Sequence, residues 1–212
     1  MNSKGGQSFP AAFARAFDGV ARTLVGERNM KVHWVSGTAV MLVGMALPLP
    51  TGARAPLLMS VALVIATESL NAALEGVVDL ATEGWAFPAK VAKDAAAGTV
   101  LVVAAASALL LADVLVHRWD IVEDNTDAVA RTVLFGVPLL LSESLMLTRS
   151  RGGWAWVGFG IASVGLAVPL VGRSSDPVFS LGCGVLLGAA AWAKWHEPTL
   201  SSTSPPARLD PS

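Results

Sequence analysis

Six long apolar runs dominate the pattern of the chain. They cover residues 32–49, 56–80, 95–116, 128–147, 154–171 and 178–195. Each run is about long enough to cross a hydrocarbon core of about 30 Å, since a helix rises about 1.5 Å per residue. The pattern therefore predicts six transmembrane helices.

A shorter amphipathic pattern precedes the first run. Phe9, Phe13 and Phe17 recur four residues apart, and charged residues fall between them and the aliphatic positions that follow. This spacing predicts a helix over residues 9–28 that lies on the membrane surface, where its basic side chains meet anionic headgroups. The alternative is a cap that packs on the other helices.

A polar stripe, formed by Glu68, Asn71, Glu75 and Asp79, interrupts the second run. On a helix these spacings place the four side chains on one face. If the run proceeds inward from Pro56, Glu68 lies about 18 Å along the helix and Glu75 about 28 Å. Glu75 and Asp79 then reach the level of the cytoplasmic headgroups, whereas Glu68 lies deeper in the membrane. Carboxylates inside a bilayer are costly and usually mark a functional site.

Composition supports a membrane protein. The 212 residues are 53% hydrophobic and only 15% charged, which is too apolar for an ordinary soluble domain. The 15 basic and 16 acidic residues nearly balance, so no overall charge favours nucleic acid.

The basic residues predict a cytoplasmic N-terminus and a cytoplasmic C-terminus by the positive-inside rule. With that orientation only four of them lie outside: Arg54, Arg118, Arg131 and Arg173. The inside segments hold the rest: Lys4, Arg15, Arg22, Arg28, Lys31, Lys90, Lys93, Arg149, Arg151, Lys194 and Arg208.

The stripe also has the groups that phosphoryl transfer requires. Carboxylates at the water side can hold a divalent cation and its phosphates, and a deeper one can accept a proton from a membrane-dissolved alcohol. Residues 27–33 and 90–94 add polar groups at the mouths of the first and third spans. We expect both segments to converge on the stripe if these three helices bundle. The sequence has no Walker-type glycine-rich loop, so a soluble nucleotide-binding fold is not indicated.

Three motifs in this order resemble the prokaryotic diacylglycerol kinase family, particularly its undecaprenol kinase branch. They are Glu27-Arg28-Asn29-Met30-Lys31-Val32-His33, then Glu68-Ser69-Leu70-Asn71-Ala72-Ala73-Leu74-Glu75 with Val77-Val78-Asp79, and Ala89-Lys90-Val91-Ala92-Lys93-Asp94. The resemblance covers roughly residues 9–117. It implies a membrane kinase with a surface helix and three core helices, usually trimeric, with sites shared between subunits.

The resemblance also implies roles for the matched residues. Glu68 would be the general base on the lipid hydroxyl. Glu27 and Glu75 would bind Mg²⁺ and, through it, ATP. Lys93 and Asp94 would engage the nucleotide. The supporting residues would be Asn71, Asp79, Arg28 and Asn29, with Arg28 and Asn29 in a loose phosphate or headgroup role.

We therefore predict an all-α integral membrane protein in four segments. Residues 1–30 form an amphipathic surface segment, and residues 31–117 form the three-helix kinase-like core. Residues 118–196 form about three additional transmembrane helices of unknown role, and residues 197–212, rich in Pro, Ser and Thr, form a disordered tail. Within the extra helices, Glu143 is expected near the cytoplasmic end of its span, paired with Arg149 or hydrated.

The predicted function is ATP- and Mg²⁺-dependent phosphorylation of undecaprenol or diacylglycerol at the cytoplasmic face of the bacterial inner membrane. The expected partners are the lipid, ATP, the membrane and further copies of the chain in a homotrimer. The alternative is a small transporter or a non-catalytic scaffold whose stripe lines an ion path. Transporters often carry an inverted repeat, and the sequence shows none.

Overall fold

A computed structural model of the chain describes residues 8–82, 84–149 and 153–201. Residues 1–7 of the predicted surface segment, Glu83 of the loop after the second span, and residues 150–152 lie outside the described part, as do residues 202–212 of the predicted tail. Within the described residues the chain forms eight helices. They are α1 (Phe9–Gly26), α2 (Arg28–Ala46), α3 (Thr51–Ala81), α4 (Phe87–His117), α5 (Trp119–Asp124), α6 (Thr126–Thr148), α7 (Ala155–Val171) and α8 (Pro177–Ser201).

The helices confirm the all-α prediction for the described residues. Six of them, α2, α3, α4, α6, α7 and α8, coincide with the six apolar runs. By length and composition, α3, α4, α6 and α8 are candidate membrane spans, and α7 is a shorter apolar helix. The 19 residues of α2 begin with the charged motif of Arg28 and Lys31, which lowers the hydropathy of that helix.

The first helix has an exposed start and a buried second half. Phe9 and Phe13 are exposed, whereas Ala21 and Leu24 are buried. The buried half packs against α2 and α8. α1 ends at Gly26 because the next residue has extended backbone angles.

α2 is the central helix of the bundle. It packs against α3 on one side and against α6 and α8 on others, while α3–α4 and α6–α7 form two helical hairpins. The Trp34 indole Nε1 donates a hydrogen bond to the Leu186 carbonyl at 3.0 Å, which ties α2 to α8. The additional helices therefore enclose α2 rather than forming a separate unit.

The position of Glu143 differs from the prediction that it is hydrated or paired with Arg149. It is fully buried on α6, and the Thr38 hydroxyl of α2 donates to its Oε1 at 3.1 Å. Arg149 lies exposed beyond the end of α6. Glu143 is therefore shielded from bulk solvent and bonded to Thr38, not paired with Arg149, because the packing of α6 on α2 turns this face of the helix inward.

The bundle has two distinguishable ends. The start of α2, the end of α3, the start of α4 and the end of α8 lie together, and we call this the site end. At the opposite end, Arg54 forms an ion pair of 2.6 Å with the buried Asp176 just before α8. There the Ser175 amide also donates to the Met45 carbonyl at 2.9 Å. The start of α8 is thereby fixed to both α2 and α3.

Candidate functional site

The polar stripe runs from a buried to an exposed position. Its four residues share one face because α3 is helical throughout Thr51–Ala81. Glu68 is 2% exposed and Asn71 is 8% exposed. Glu75 is half-buried, and Asp79 is exposed. The stripe therefore connects the interior of the bundle with its surface at the site end.

A pocket of about 290 Å³, which we call the Glu68 pocket, opens beside the buried end of the stripe. Glu68 and Asn71 line it from α3, and Asn29 and His33 line it from α2. Its α4 wall consists of Ala97, Val100, Leu101 and Ala104. Three helices that are separate in sequence thus meet at Glu68.

Asn71 joins two parts of the stripe. Its Nδ2 donates a hydrogen bond to Glu75 Oε1, one helical turn away, at 3.0 Å. Its Oδ1 is buried and has no hydrogen-bond partner among the described residues. Because an unsatisfied buried polar group costs about 1–3 kcal/mol, this oxygen is suited to receive a ligand.

Glu27 occupies the single-residue corner between α1 and α2. Its backbone is extended, with φ −92° and ψ 131°, and the residue is exposed. The charges of Glu27 and Glu75 both act on Glu68. The corner therefore brings a further carboxylate toward the stripe.

The carboxylates fit Mg²⁺ bound together with phosphates. Across the described ranges, no group of three or more His, Cys, Asp or Glu side chains is arranged to hold a metal ion alone. Mg²⁺ commonly binds one or two carboxylates and completes its coordination with water and substrate phosphates. The site offers oxygen ligands of this kind in the carboxylates of Glu27 and Glu75 and in the unpartnered Oδ1 of Asn71. A metal site made entirely of protein ligands does not fit them.

The third motif lies at the exposed end of the stripe. Lys93 Nζ forms an ion pair of 2.5 Å with Asp79 Oδ1. Lys90 Nζ forms another of 2.5 Å with Asp94 Oδ2. These four residues line a pocket of about 250 Å³ between the end of α3 and the start of α4. Lys93 therefore pairs with Asp79 and not with Glu68.

The two polar residues at the start of α2 have different surroundings. Arg28 and Asn29 are both exposed, but only Asn29 lines the Glu68 pocket. The structure thus brings Asn29 to the stripe and leaves Arg28 on the surface of the site end.

An apolar groove of about 420 Å³ continues from the Glu68 pocket between α2, α3 and α4. Val32, His33 and Ala104 line both cavities. The groove contains three serine hydroxyls, and each donates to a carbonyl of its own helix, so they leave the groove effectively apolar: Ser36, Ser60 and Ser107. Sequence reasoning missed this groove and its shared residues. The small side chains of α4 were its only sequence signal.

Comparison with known proteins identifies the family of this fold. The family model of prokaryotic diacylglycerol kinase matches residues 14–115. A diacylglycerol kinase from Synechocystis sp. is 41% identical over 101 residues, which cover 47% of this chain and 57% of that protein. An undecaprenol kinase from Bacillus subtilis is 34% identical over 102 residues, which cover 48% of this chain and 83% of that protein. The chain belongs to the prokaryotic diacylglycerol kinase family.

The family match contains every candidate site residue, from Glu27 to Asp94, and ends near the end of α4. The similarity spans little more than half the length of the Synechocystis relative. No solved structure matches the chain significantly. The helices from α5 to α8 therefore lie outside the matched segment of this family member, although α6, α7 and α8 pack directly on α2.

Proposed function

We propose that the chain is an ATP- and Mg²⁺-dependent kinase that phosphorylates a membrane lipid alcohol, undecaprenol or diacylglycerol. The observation that carries this proposal is the position of Glu68, a buried carboxylate in a pocket that continues into an apolar groove. The family membership of residues 14–115 supports the same activity.

The groove suits the hydrocarbon part of the acceptor. An alkyl or isoprenoid chain between α2 and α4 brings its hydroxyl end toward the Glu68 pocket, because the two cavities share Val32, His33 and Ala104. Glu68 then accepts the hydroxyl proton as general base while the oxygen attacks the terminal phosphorus of ATP, whose bond to the bridging oxygen breaks as ADP leaves. Aliphatic walls discriminate poorly between apolar tails, so both lipid alcohols are acceptors in this proposal.

The nucleotide occupies the exposed part of the site. Glu27 and Glu75 would hold Mg²⁺, which would supply positive charge to neutralise the phosphates. Asn71 orients Glu75 through their hydrogen bond. Lys93 and Asp94 contact the nucleotide beside Asp79, and Arg28 and Asn29 provide loose phosphate contacts.

The site end faces the cytoplasm of the bacterial cell in this proposal, since ATP is available there and the basic residues favour that side. The N-terminus and the C-terminus are then cytoplasmic, and the protein is a multi-pass component of the inner membrane. We further propose a homotrimer with sites shared between subunits, as in the family that the three motifs resemble.

The test is phosphate transfer from labelled ATP by the purified protein in mixed micelles, with undecaprenol and diacylglycerol offered separately and in competition. Labelled lipid is expected with the unaltered chain. Glu75→Ala and Glu27→Ala are expected to abolish transfer, whereas Glu123→Ala, which removes an exposed acid on α5, is the matched control and is expected to retain it. Transfer that persists in both alanine variants would refute the metal assignment.

Glu68→Gln separates the base from the nucleotide site. This variant is expected to bind ATP normally while turnover falls about 100-fold or more, the usual contribution of a positioned general base. An unaltered rate would exclude Glu68 as the base. If the folded chain labels neither lipid with Mg²⁺ present, ion flux across vesicles becomes the measurement that tests the transporter alternative.

A further inference from the structure

The end of α8 carries a buried ion pair beside the corner that holds Glu27. Lys194 is only 2% exposed, and its Nζ lies 2.8 Å from Glu197 Oε2. Lysine is rarely buried to this extent without a partner. Lys31, in the first motif, follows Glu27 by one helical turn, and its amide donates to the Glu27 carbonyl at 3.4 Å. Both members of the pair also lie within electrostatic range of Lys31. The additional helices thus contribute charges to the site end of the core.

Aromatic contacts fix this part of α8 against the two helices that flank the corner. The rings of Phe17 on α1 and Trp192 on α8 meet edge to face, with centroids 4.9 Å apart. One helical turn beyond Trp192, His196 stacks on the same indole at 4.3 Å. Trp34 on α2 donates to the Leu186 carbonyl of α8. α8 is therefore held against both α1 and α2.

The corner has few interactions of its own that fix Glu27. No side chain caps the start of α2, and the Glu27 amide donates only to the Thr23 carbonyl of α1, at 2.8 Å. The position of the Glu27 carboxylate depends on the angle between α1 and α2 and on the charges around it. The contacts of α8 with α1 and α2 control the angle between these two helices. The Lys194–Glu197 pair affects the charges around the carboxylate.

We infer that Lys194 and Glu197 are positioning residues for the nucleotide site, acting through Lys31 to keep the Glu27 carboxylate free to bind Mg²⁺ with ATP. This inference rests on the proposed kinase function and assigns the additional helices a role in it. Glu197 supplies the negative charge that balances the two lysines. Without that charge, the Glu27 carboxylate, one helical turn before Lys31, pairs with Lys31, since side chains four residues apart are neighbours on a helix.

The decisive variant is Glu197→Gln, which keeps the shape of the side chain and removes its charge. Mg²⁺-dependent binding of a non-hydrolysable ATP analogue, measured by calorimetry on the purified full chain, is expected to weaken about 10-fold, the lower end for groups that orient metal ligands. The Mg²⁺ concentration for half-maximal activity is expected to rise equally, with an unchanged KM for the lipid.

The opposite end of α8 offers a matched control. Arg54→Gln breaks the Arg54–Asp176 ion pair, which also anchors α8 but lies away from the site. This variant is expected to bind the analogue like the unaltered chain. If Arg54→Gln weakens binding of the analogue as much as Glu197→Gln does, α8 contributes only to the general stability of the bundle, and the inference is overturned. Normal binding by folded Glu197→Gln would overturn it as well.

Two further results separate this inference from the proposed function. An unaltered chain that transfers phosphate and loses that activity in Glu75→Ala establishes the kinase, whatever the α8 variants do. Glu197→Asp, which retains the charge, is expected to restore most of the affinity for Mg²⁺ and the analogue. Size-exclusion chromatography and thermal unfolding check that the Glu197→Asp protein is folded. If the folded variant does not regain affinity, a role of the charge is contradicted.

Discussion

Two buried carboxyl groups on long apolar helices have different surroundings. Glu68 lies at the wall of a pocket that continues into a groove. Glu143 is enclosed between α6 and α2, with a hydrogen bond to Thr38 at Oε1 and no partner at Oε2 among the described residues. Only Glu68 is accessible to a ligand, so we expect only Glu68 to be needed for activity.

Replacing Glu143 with methionine tests this distinction. Methionine keeps much of the side-chain length and removes a partly unsatisfied polar group, whose burial costs about 1–3 kcal/mol. Thr38 keeps an acceptor, since its hydroxyl also lies 3.3 Å from the Trp34 carbonyl. The thermal unfolding midpoint of Glu143→Met in detergent is therefore expected to stay the same or rise, with phosphate transfer retained.

Glu143→Ala is the matched variant for this prediction. The small side chain leaves a cavity in the core, and comparable truncations cost about 2–5 kcal/mol. Its unfolding midpoint should therefore fall. Loss of lipid phosphorylation by a folded Glu143→Met protein would give this carboxyl a functional role and contradict the distinction.

At the scale of residues, the sequence predicted which groups share a face but not their partners. The helical spacing of Glu68 and Glu75 is a local property, and the structure retains it. The pairing of Lys93 with Asp79 depends on the loop between α3 and α4, and the burial of Glu143 depends on which helix covers α6. The periodic pattern of residues along one helix predicts neither this pairing nor this burial, because both arise from contacts between segments that are distant in sequence.

The interface between α2 and α8 depends on glycine. A Cβ atom added at Gly44 would lie 2.3 Å from the ring of Phe179, which is fully buried. One at Gly182 would lie 2.7 Å from the Met41 sulfur. The two helices therefore interlock through a small residue on each side, an arrangement common between membrane helices.

Gly44→Ala is expected to separate these helices. To relieve this contact, the rigid Phe179 ring would have to move by about 1 Å within a packed core, which would displace α8. Such overpacking typically costs about 1–3 kcal/mol. Thermal unfolding in detergent should show a lower midpoint than that of the unaltered chain. Gly188→Ala on α8 is the control, because its added Cβ would meet no atom within 4 Å. Equal midpoints for the two variants would contradict this view of the interface.

At the scale of elements, hydropathy predicted the six apolar helices because burial in lipid or protein requires continuous apolar surface. It did not predict α5, a helix of six residues in the acidic loop. Trp119 Nε1 donates there to Glu123 Oε1 at 2.9 Å, a contact of one turn that a hydropathy window cannot register. The continuation of α8 to Ser201 was likewise missed, since the composition of that segment favours disorder.

The whole molecule is arranged so that the additional helices cover one side of the core. α6 and α8 occupy the faces of α2 that α3 leaves open, whereas α4 packs mainly on α3. Val100 and Val114 are the buried aliphatic side chains of α4 in the described structure. The sequence predicted both the core and the extra helices, but apolar helices carry no signal for the face on which another helix will pack.

This arrangement predicts where subunits meet if the site is shared between copies of the chain. Since α2 is enclosed, contact near the site is available through the exposed face of the α3–α4 hairpin. Leu109 on α4 is 72% exposed, and Ile161 on α7 is similarly exposed at 68%. Both positions can carry a cysteine in a Cys183→Ala background, because Cys183 is the only native cysteine.

Oxidation in native membranes is then expected to cross-link Leu109→Cys into dimers, while Ile161→Cys remains monomeric on denaturing gels. The two apolar positions are similarly exposed, but one lies on the α3–α4 hairpin and the other on the additional helices, so random collision in the bilayer is controlled for. Cross-linking confined to Ile161→Cys would move the subunit contact to the additional helices. Absence of cross-links at both positions and at outward residues along α3 and α4 would contradict a shared site, because no second copy would then contact the exposed face of the hairpin.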